Sequence, residues 1–368
     1  MTTTDNNDGL GNNVDAIVIG SGLAGLTTAL TIADAGGHVV VLEKEAKLGG
    51  NSMKASSGIN ACDPHDQESF RADTLSSCGT AGNKELVEEL VQGSHDAIAW
   101  LKERLDVDLT QVAQLGGHSQ PRTRRPGGKL PVGAELMIKL QKAVQALADS
   151  NSNDSSSSGK VTIYTQAKAT KLLRDEDGKT GRVVGVQFEL SSSSSGDENA
   201  EKEIKQVHAK NVVLATGGFA ADRSASSWLA KVRPELLQLG ATAGDFSTGD
   251  GLSLATSGTD NEKFKAGLVD MEHVQVHPTG FVDPKDPDNP SKFLAAEVLR
   301  GVGGILLNTD GKRYVVLLWN EFVSLLWKIQ RFHCIDACTY TDHSLPFWYI
   351  SVTFVYTAFA MRLDDATT

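Results

Sequence analysis

Two groups of residues in this 368-residue chain have the types and spacing for chemistry. The first is Gly20-Ser21-Gly22-Leu23-Ala24-Gly25, a G-x-G-x-x-G turn placed directly after the apolar, β-branched run 14–19. Gly20 permits a tight turn, Gly22 lets backbone approach a pyrophosphate, and Gly25 lets the next helix pack closely on the strand. The N-terminus of that helix offers free N–H groups and a positive dipole end to phosphates. Glu43, 23 residues after Gly20, stands where a carboxylate accepts hydrogen bonds from ribose hydroxyls and repels a 2′-phosphate. The second group lies downstream. Gln275 and His277 fall in His-Val-Gln-Val-His-Pro-Thr (273–279), and Glu297 and Arg300 in Ala-Glu-Val-Leu-Arg-Gly-Val-Gly-Gly (296–304). A Glu and an Arg three residues apart can share one face and pass a proton. On residue type alone, a satisfied histidine before a rigid proline and an ordinary ion pair are the simpler readings.

These residues need elements to hold them. A buried parallel strand over 14–19 leads into a helix with Leu23, Leu26, Leu30 and Ala33 on one face. Gly36-Gly37 stops that helix, and a second strand over 38–42 ends at Glu43. Residues 83–105 read as an amphipathic helix capped by Asn83, with Leu86, Val87, Leu90, Ile98 and Leu101 apolar. A further helix is expected over 132–147. Residues 161–190 read as strand, strand, turn, strand, with 175–179 as the turn, and 203–209 as one more strand. A buried strand from Asn211 ends in Ala215-Thr216-Gly217-Gly218, and Thr248-Gly249-Asp250-Gly251 precedes a helical run over 252–255. The doublet Gly49-Gly50 and the small polar residues 52–61 suit backbone lying along a long cofactor with a flat ring. The basic run 121–126 faces either an anionic ligand or solvent.

Composition sets the outer bounds. Forty per cent hydrophobic residues is ordinary for a globular protein and excludes collagen, coiled coil and wholesale disorder. A net charge of −11 argues against nucleic acid as a partner. Four cysteines make no disulfide framework, so a reducing compartment is expected. Residues 1–13 are polar, without an apolar signal core, and are expected to be disordered. The serine runs 155–158 and 191–195 read as surface loops.

The motifs, in this order, resemble the FAD-binding flavoproteins of the fumarate reductase and succinate dehydrogenase family, most nearly the soluble NADH-linked fumarate reductases of eukaryotes. The resemblance implies an α/β fold. A Rossmann-like FAD-binding domain of the two-dinucleotide-domain flavoprotein type would span 14–270, with the start of an α+β capping domain over 271–315. It implies non-covalent FAD held by Gly20, Ser21, Gly22, Leu23, Ala24, Gly25, Glu43, Lys44, Gly49, Gly50, Asn51, Ser52, Ser57, Gly58, Ala215, Thr216, Gly217, Gly218, Thr248, Gly249 and Asp250. It also implies a small dicarboxylate substrate, fumarate or succinate, bound by His277, with Glu297 and Arg300 delivering the proton and Gln275 as their polar partner. The implied reaction passes hydride from flavin N5 to fumarate while an arginine protonates the other carbon. The family has a Gly-Gly-x-Ser-x-x-Arg segment near the flavin, similar to Gly116-Gly117-His118-Ser119-Gln120-Pro121-Arg122, which favours a functional reading of the basic run. The electron donor stays open between NADH and reduced flavin, since neither a second Rossmann unit nor a haem-binding Cys-x-x-Cys-His is visible. Related flavoproteins such as an aspartate oxidase or a steroid dehydrogenase are the neighbouring readings; His-Pro-Thr and Glu-x-x-Arg-Gly favour a dicarboxylate over a steroid.

The likeness runs from 14 to 315 and then stops. None of the 36 glycines lies beyond residue 315, whereas half of the aromatic residues do. Where the family places its proton-donating arginine, residues 316–330 carry Lys328 as their only cation. The expectation is a chain with little or no turnover, a non-catalytic FAD-binding fragment or a misread gene model. An aggregation-prone tail is the default for 316–368. The uncharged stretch 344–361 just reaches membrane-span length, but its Pro, Ser and Thr make membrane insertion the lesser reading. His333, Cys334, Cys338 and His343 match no familiar zinc spacing, so no metal is expected. A cytoplasmic location is expected, with mitochondria or another organelle left open; oligomeric state is not legible.

Overall fold

A computed structural model describes residues 14–79, 83–149, 159–175, 181–191, 202–257, 265–277, 280–296, 305, 307, 349–351 and 361–362. The serine runs (apart from Ser191), the zinc-spaced residues, the end of the 175–179 turn, Glu297 and Arg300 lie outside them, as does most of the stretch from 306 onward.

Strand β1 (Ala16–Ile19), helix α1 (Leu23–Asp34) and strand β2 (His38–Leu42) form a β-α-β unit. β1 pairs in parallel with β2 on one side and with β10 (Asn211–Leu214) on the other, and β2 pairs in parallel with β6 (Lys160–Tyr164). β14 (Met361–Arg362) lies antiparallel on the outer edge of β10. The central strand β1 (AIVI) is wholly apolar and buried, and β2 is so after His38, because both faces are covered there. Val18, Val39 and Val41 point to one face, against Leu26 and Leu30 of α1 and against α4 (Val132–Asp149). Ile17, Ile19, Val40 and Leu42 point to the other, against an antiparallel sheet of β7 (Ala167–Arg174), β8 (Val183–Ser191) and β9 (Lys202–His208). This alternation is the period-two geometry of a strand.

Between β2 and α4 the chain makes β3 (Ile59–Asn60), α2 (Gln67–Cys78), α3 (Lys84–Leu105), β4 (Gln111–Ala113) and β5 (Thr123–Arg125). β5 runs antiparallel between β3 and β4. Asn83 caps α3 as expected, its side chain accepting from Glu85 and Leu86 N–H. Two of the helix's expected apolar positions are corrected: Leu86 and Leu90 are 68% and 51% exposed, while Val87, Val91, Ile98 and Leu101 are buried. The buried stripe runs through Val87, Val91, Ser94, Ile98, Leu101 and Leu105 at helical spacing and faces α2 and the core; Leu86 and Leu90 fall outside that register and face solvent.

After β10 come α5 (Trp228–Val232), α6 (Asp250–Ser257), β11 (Gly280–Val282) and β12 (Phe293–Leu294). β11 pairs antiparallel with β12 and with β13 (Tyr349–Ser351), so the described residues of stretch 344–361 lie in two short strands, β13 and the start of β14. Among the described residues, no helix is long and apolar enough to cross a membrane.

Candidate cofactor site

The carboxyl ends of β1, β2 and β10 stop in step, with Ile19 opposite both Leu42 and Leu214. The loops that follow therefore leave from one edge of the sheet, where open α/β sheets bind ligands. Gly20 turns at φ +104°, and a Cβ there would stand 2.3 Å from Ala215 O. A Cβ on Gly25 would stand 1.9 Å from Gly20 O, so only glycine lets α1 come this close to β1. Gly22 caps α1 without a side chain in front of the helix; its nearest neighbour would be Ser52 Oγ, 3.5 Å from an added Cβ. Leu23 N–H donates to Ser52 Oγ at 3.0 Å. The rest of the first turn, at exposed Ala24, carries N–H groups without intrahelical acceptors.

Glu43 is buried at the end of β2. Its Oε2 accepts from Ser21 N–H at 3.0 Å and from the Ser21 hydroxyl. Its Oε1 accepts from Glu45 N–H at 2.8 Å. The Ser21 hydroxyl in turn accepts from Gly49 N–H at 3.2 Å. Lys44 Nζ donates to Thr248 Oγ1 at 2.9 Å and pairs with Asp250 at 2.5 Å, tying the end of β2 to the start of α6. A Cβ on Gly251 would stand 2.2 Å from Thr216 Oγ1, which sets the same helix start against the loop after β10. Gly217 turns at φ +71° with nothing within 4 Å of an added Cβ, leaving backbone bare. Gly58 turns at φ +149° against β5, where a Cβ would stand 2.5 Å from Thr123 Cγ2. Beside half-buried Ser57, the Ser56 hydroxyl is buried without a hydrogen-bond partner.

The structure thus brings Gly20–Gly25, Glu43–Lys44, Gly49–Ser52, Ala215–Gly218 and Thr248–Asp250 into one place. A glycine cradle, an open helix N-terminus and a buried acceptor carboxylate fit a ligand with phosphates and a ribose. Ser56 falls within the run 52–61 expected along the cofactor, whereas the sequence did not single out Thr242 and Ser247. The last two are buried polar residues that meet the 49–54 turn across nearly 200 positions.

The basic run takes neither of its expected roles at Arg122, which is 1% exposed. All five of its N–H groups have acceptors. Nε and Nη2 fork onto Asp66 at 2.9 and 3.1 Å, and Nη2 also reaches Ser69 Oγ at 2.8 Å. Nη1 reaches Asp73 at 2.5 Å and His118 Nδ1 at 3.0 Å, and the guanidinium lies 5.0 Å from the Phe70 ring. Burial first, and then the Arg122 charge, lowers the His118 pKa, which suits a neutral ring accepting at Nδ1. Burial alone would raise Asp66 and Asp73; their hydrogen bonds, chiefly from Arg122 and Ser119 N–H, outweigh it and leave both below the usual carboxylate value. Arg124 pairs with Asp63 at 2.7 Å.

Of the residues expected to serve the substrate, Gln275 is exposed and His277 half-buried. Val274 between them and His273 packs with Phe219, Leu229 and Leu236, which ties this segment to the loop after β10.

A family model described as an FAD binding domain matches residues 15–339. The chain is 39% identical over 313 residues to a fumarate reductase of Schizosaccharomyces pombe, covering 82% of this chain and 56% of that protein. It is 41% identical over 310 residues to fumarate reductase 1 of Saccharomyces cerevisiae, covering 81% and 60%. The chain therefore spans little more than half the length of these curated relatives. Among solved structures, the open conformation of a flavocytochrome c3 fumarate reductase superposes with a TM-score of 0.64 at 27% identity, over 85% of this chain and 50% of that one. With the cradle's geometry and the extent of these matches, the chain belongs to the FAD-binding domain family of the fumarate reductase and succinate dehydrogenase flavoproteins.

Proposed function

We propose that this chain is the FAD-holding part of an oxidoreductase that reduces fumarate to succinate. The observation that carries the reading is the cradle at the ends of β1, β2 and β10, in a chain about 40% identical to two yeast fumarate reductases. Residues 14–270 hold non-covalent FAD, and 271–315 begin the substrate-capping part. Bound FAD supplies the hydride for the fumarate double bond. The backbone N–H groups at the start of α1 receive the pyrophosphate, and the free lone pair of Glu43 Oε1 receives a ribose hydroxyl. Ser57, Gly58 and Thr216–Gly218 supply the small residues along the ring. His277 donates to a substrate carboxylate, Glu297 and Arg300 pass a proton toward the reacting carbon, and Gln275 orients them. NADH or a reduced flavin delivers the electrons.

The test is to purify residues 1–368, record the visible spectrum, denature the protein and look for flavin in the supernatant. A flavin spectrum near one equivalent, released on denaturation, is expected. Fumarate-dependent reoxidation of a reduced dye is then expected to be weak, because loss of one transition-state donor costs roughly 10²–10³ in rate. Folded protein that takes up no FAD overturns the reading.

A further inference from the structure

Residues 241–250 form a strap across the 49–54 turn. At one end Ala241 N–H donates to Pro290 O, and Lys292 N–H to Ala241 O, both at 2.7 Å. At the other, Ala221 N–H donates to Ser247 O at 3.0 Å and Gly249 N–H to Gly218 O at 3.1 Å. The span between is reached by side chains of the 51–54 turn. Lys54 Nζ donates to Thr242 O at 2.8 Å. Asn51 Nδ2 donates to Ser247 Oγ at 2.6 Å, and Asn51 Oδ1 accepts from Gly244 N–H at 2.8 Å. The Phe246 ring lies over Gly244, and its Cε2 comes within 4.0 Å of the Cβ position of Gly50. Ser247 is 3% exposed, so water cannot replace the Asn51 amide there.

We propose that Asn51 is a positioning residue: its carboxamide seats the strap on the 49–54 turn, and the seated strap slows escape of FAD. Resting on the FAD reading above, this deepens it by assigning the Asn51 side chain to the strap and leaving only its backbone for the cofactor. A carboxamide suits the task because it donates at one end, to a hydroxyl, and accepts at the other, from a backbone N–H. The strap then covers the turn with Phe246, and its own C-terminal end supplies Thr248 and Asp250.

The test compares Asn51→Ala, Ser247→Ala and the double variant in two ways. In ligand-free protein, hydrogen exchange at 243–248 is expected to rise about tenfold in Ser247→Ala, the scale of one lost hydrogen bond, and further in Asn51→Ala, which also strips Gly244 N–H of its acceptor, while β1 and β2 stay protected. In FAD-loaded protein, Ser247→Ala is expected to release FAD about tenfold faster and Asn51→Ala faster still, with the double variant close to Asn51→Ala, because that change already removes both bonds to the strap. Fast release in Asn51→Ala with unchanged exchange at 243–248 would make Asn51 a direct cofactor ligand and overturn the proposal. Unchanged exchange in both single variants would overturn it too. If unaltered protein takes up no FAD, the cofactor reading and the retention claim fall together, while the exchange result alone decides whether Asn51 seats the strap.

Discussion

Replacing Arg122 by Met is expected to destabilise the protein by about 3–5 kcal/mol, the cost of removing one partner from a buried ion pair. The magnitude follows from what stays behind. The side chains of Asp66 and Asp73 are only 13% and 17% exposed. Ser69 Oγ and His118 Nδ1 would also lose their donor. Met fills much of the arginine stem's volume, so the loss is one of charge and donors rather than of packing. At about 2–4 °C per kcal/mol for a domain of this size, the melting midpoint should fall on the order of 10 °C. Thermal unfolding at pH 7 followed by circular dichroism measures it. Arg122→Lys should recover less than half of the loss, since an ammonium cannot fork onto Asp66 and reach Asp73 and His118 together. Adding Asp73→Asn to Arg122→Met should return part of the lost stability by removing a stranded charge. A loss below about 1 kcal/mol for Arg122→Met would refute the reasoning, because it would mean that solvent already shares the cluster.

Acidification should act on the same cluster in two steps. The lowered His118 pKa means that the unfolded chain binds its proton first, so stability is lost as pH falls below about 6.5 toward the folded value. The contribution of Asp66 and Asp73 is full above about 3.9 and is lost as pH falls through their depressed folded values. A melting midpoint that stays flat from pH 7 to 5, or keeps its full slope there in His118→Gln, would contradict this. Glu43→Gln should weaken FAD binding about tenfold to a hundredfold in a fluorescence titration, because its amide N–H must face a backbone or hydroxyl donor that the carboxylate now accepts; unchanged affinity would exclude that role. On α3, Leu90→Glu should shift stability by less than about 0.5 kcal/mol, while Leu101→Ala, at 7% exposure, should cost about 2–5 kcal/mol in urea unfolding.

The β1-α1-β2 unit was legible because its information is local. Gly20, Gly25, Leu26, Leu30 and the run 38–42 act within one strand–turn–helix–strand, where period and glycine position carry the geometry. The three antiparallel strands were legible for the same reason. Arg122 was not. Its partners stand 56 and 49 residues earlier, on the turn before α2 and on α2 itself, and a basic run looks the same whether it meets water, an anion or buried acids. The acid spacing Asp63, Asp66 and Asp73 ahead of the arginines is the one sequence trace of the cluster, and it acquires meaning only once β3 pairs with β5. Leu86 and Leu90 misled because composition marks a residue as apolar without saying which stripe the tertiary fold selects.

The bonds around Ser21 explain why so much of the cofactor site could be read from so little sequence. Gly49 N–H, the Ser21 hydroxyl and the Glu43 carboxylate form one directed chain, in which each hydrogen bond polarises the next. The chain joins the glycine turn, the end of β2 and the 49–52 turn before any ligand contributes a contact. Glu43 therefore has two tasks. Its Oε2 fixes Ser21, and its Oε1, with one donor at Glu45 N–H, keeps a lone pair for the ribose of the proposed FAD. A site assembled this way need not be ordered by the ligand, so less of the binding energy goes into loop entropy. The same argument divides the labour in the site. Groups close to Gly20 in sequence are set by the β-α-β unit itself, whereas 241–250 is brought in from afar and must be held by Lys44, Asn51 and Lys54. Sensitivity to single side-chain changes should therefore concentrate in the strap and its three holders, and sensitivity to backbone changes in Gly20 and Gly25.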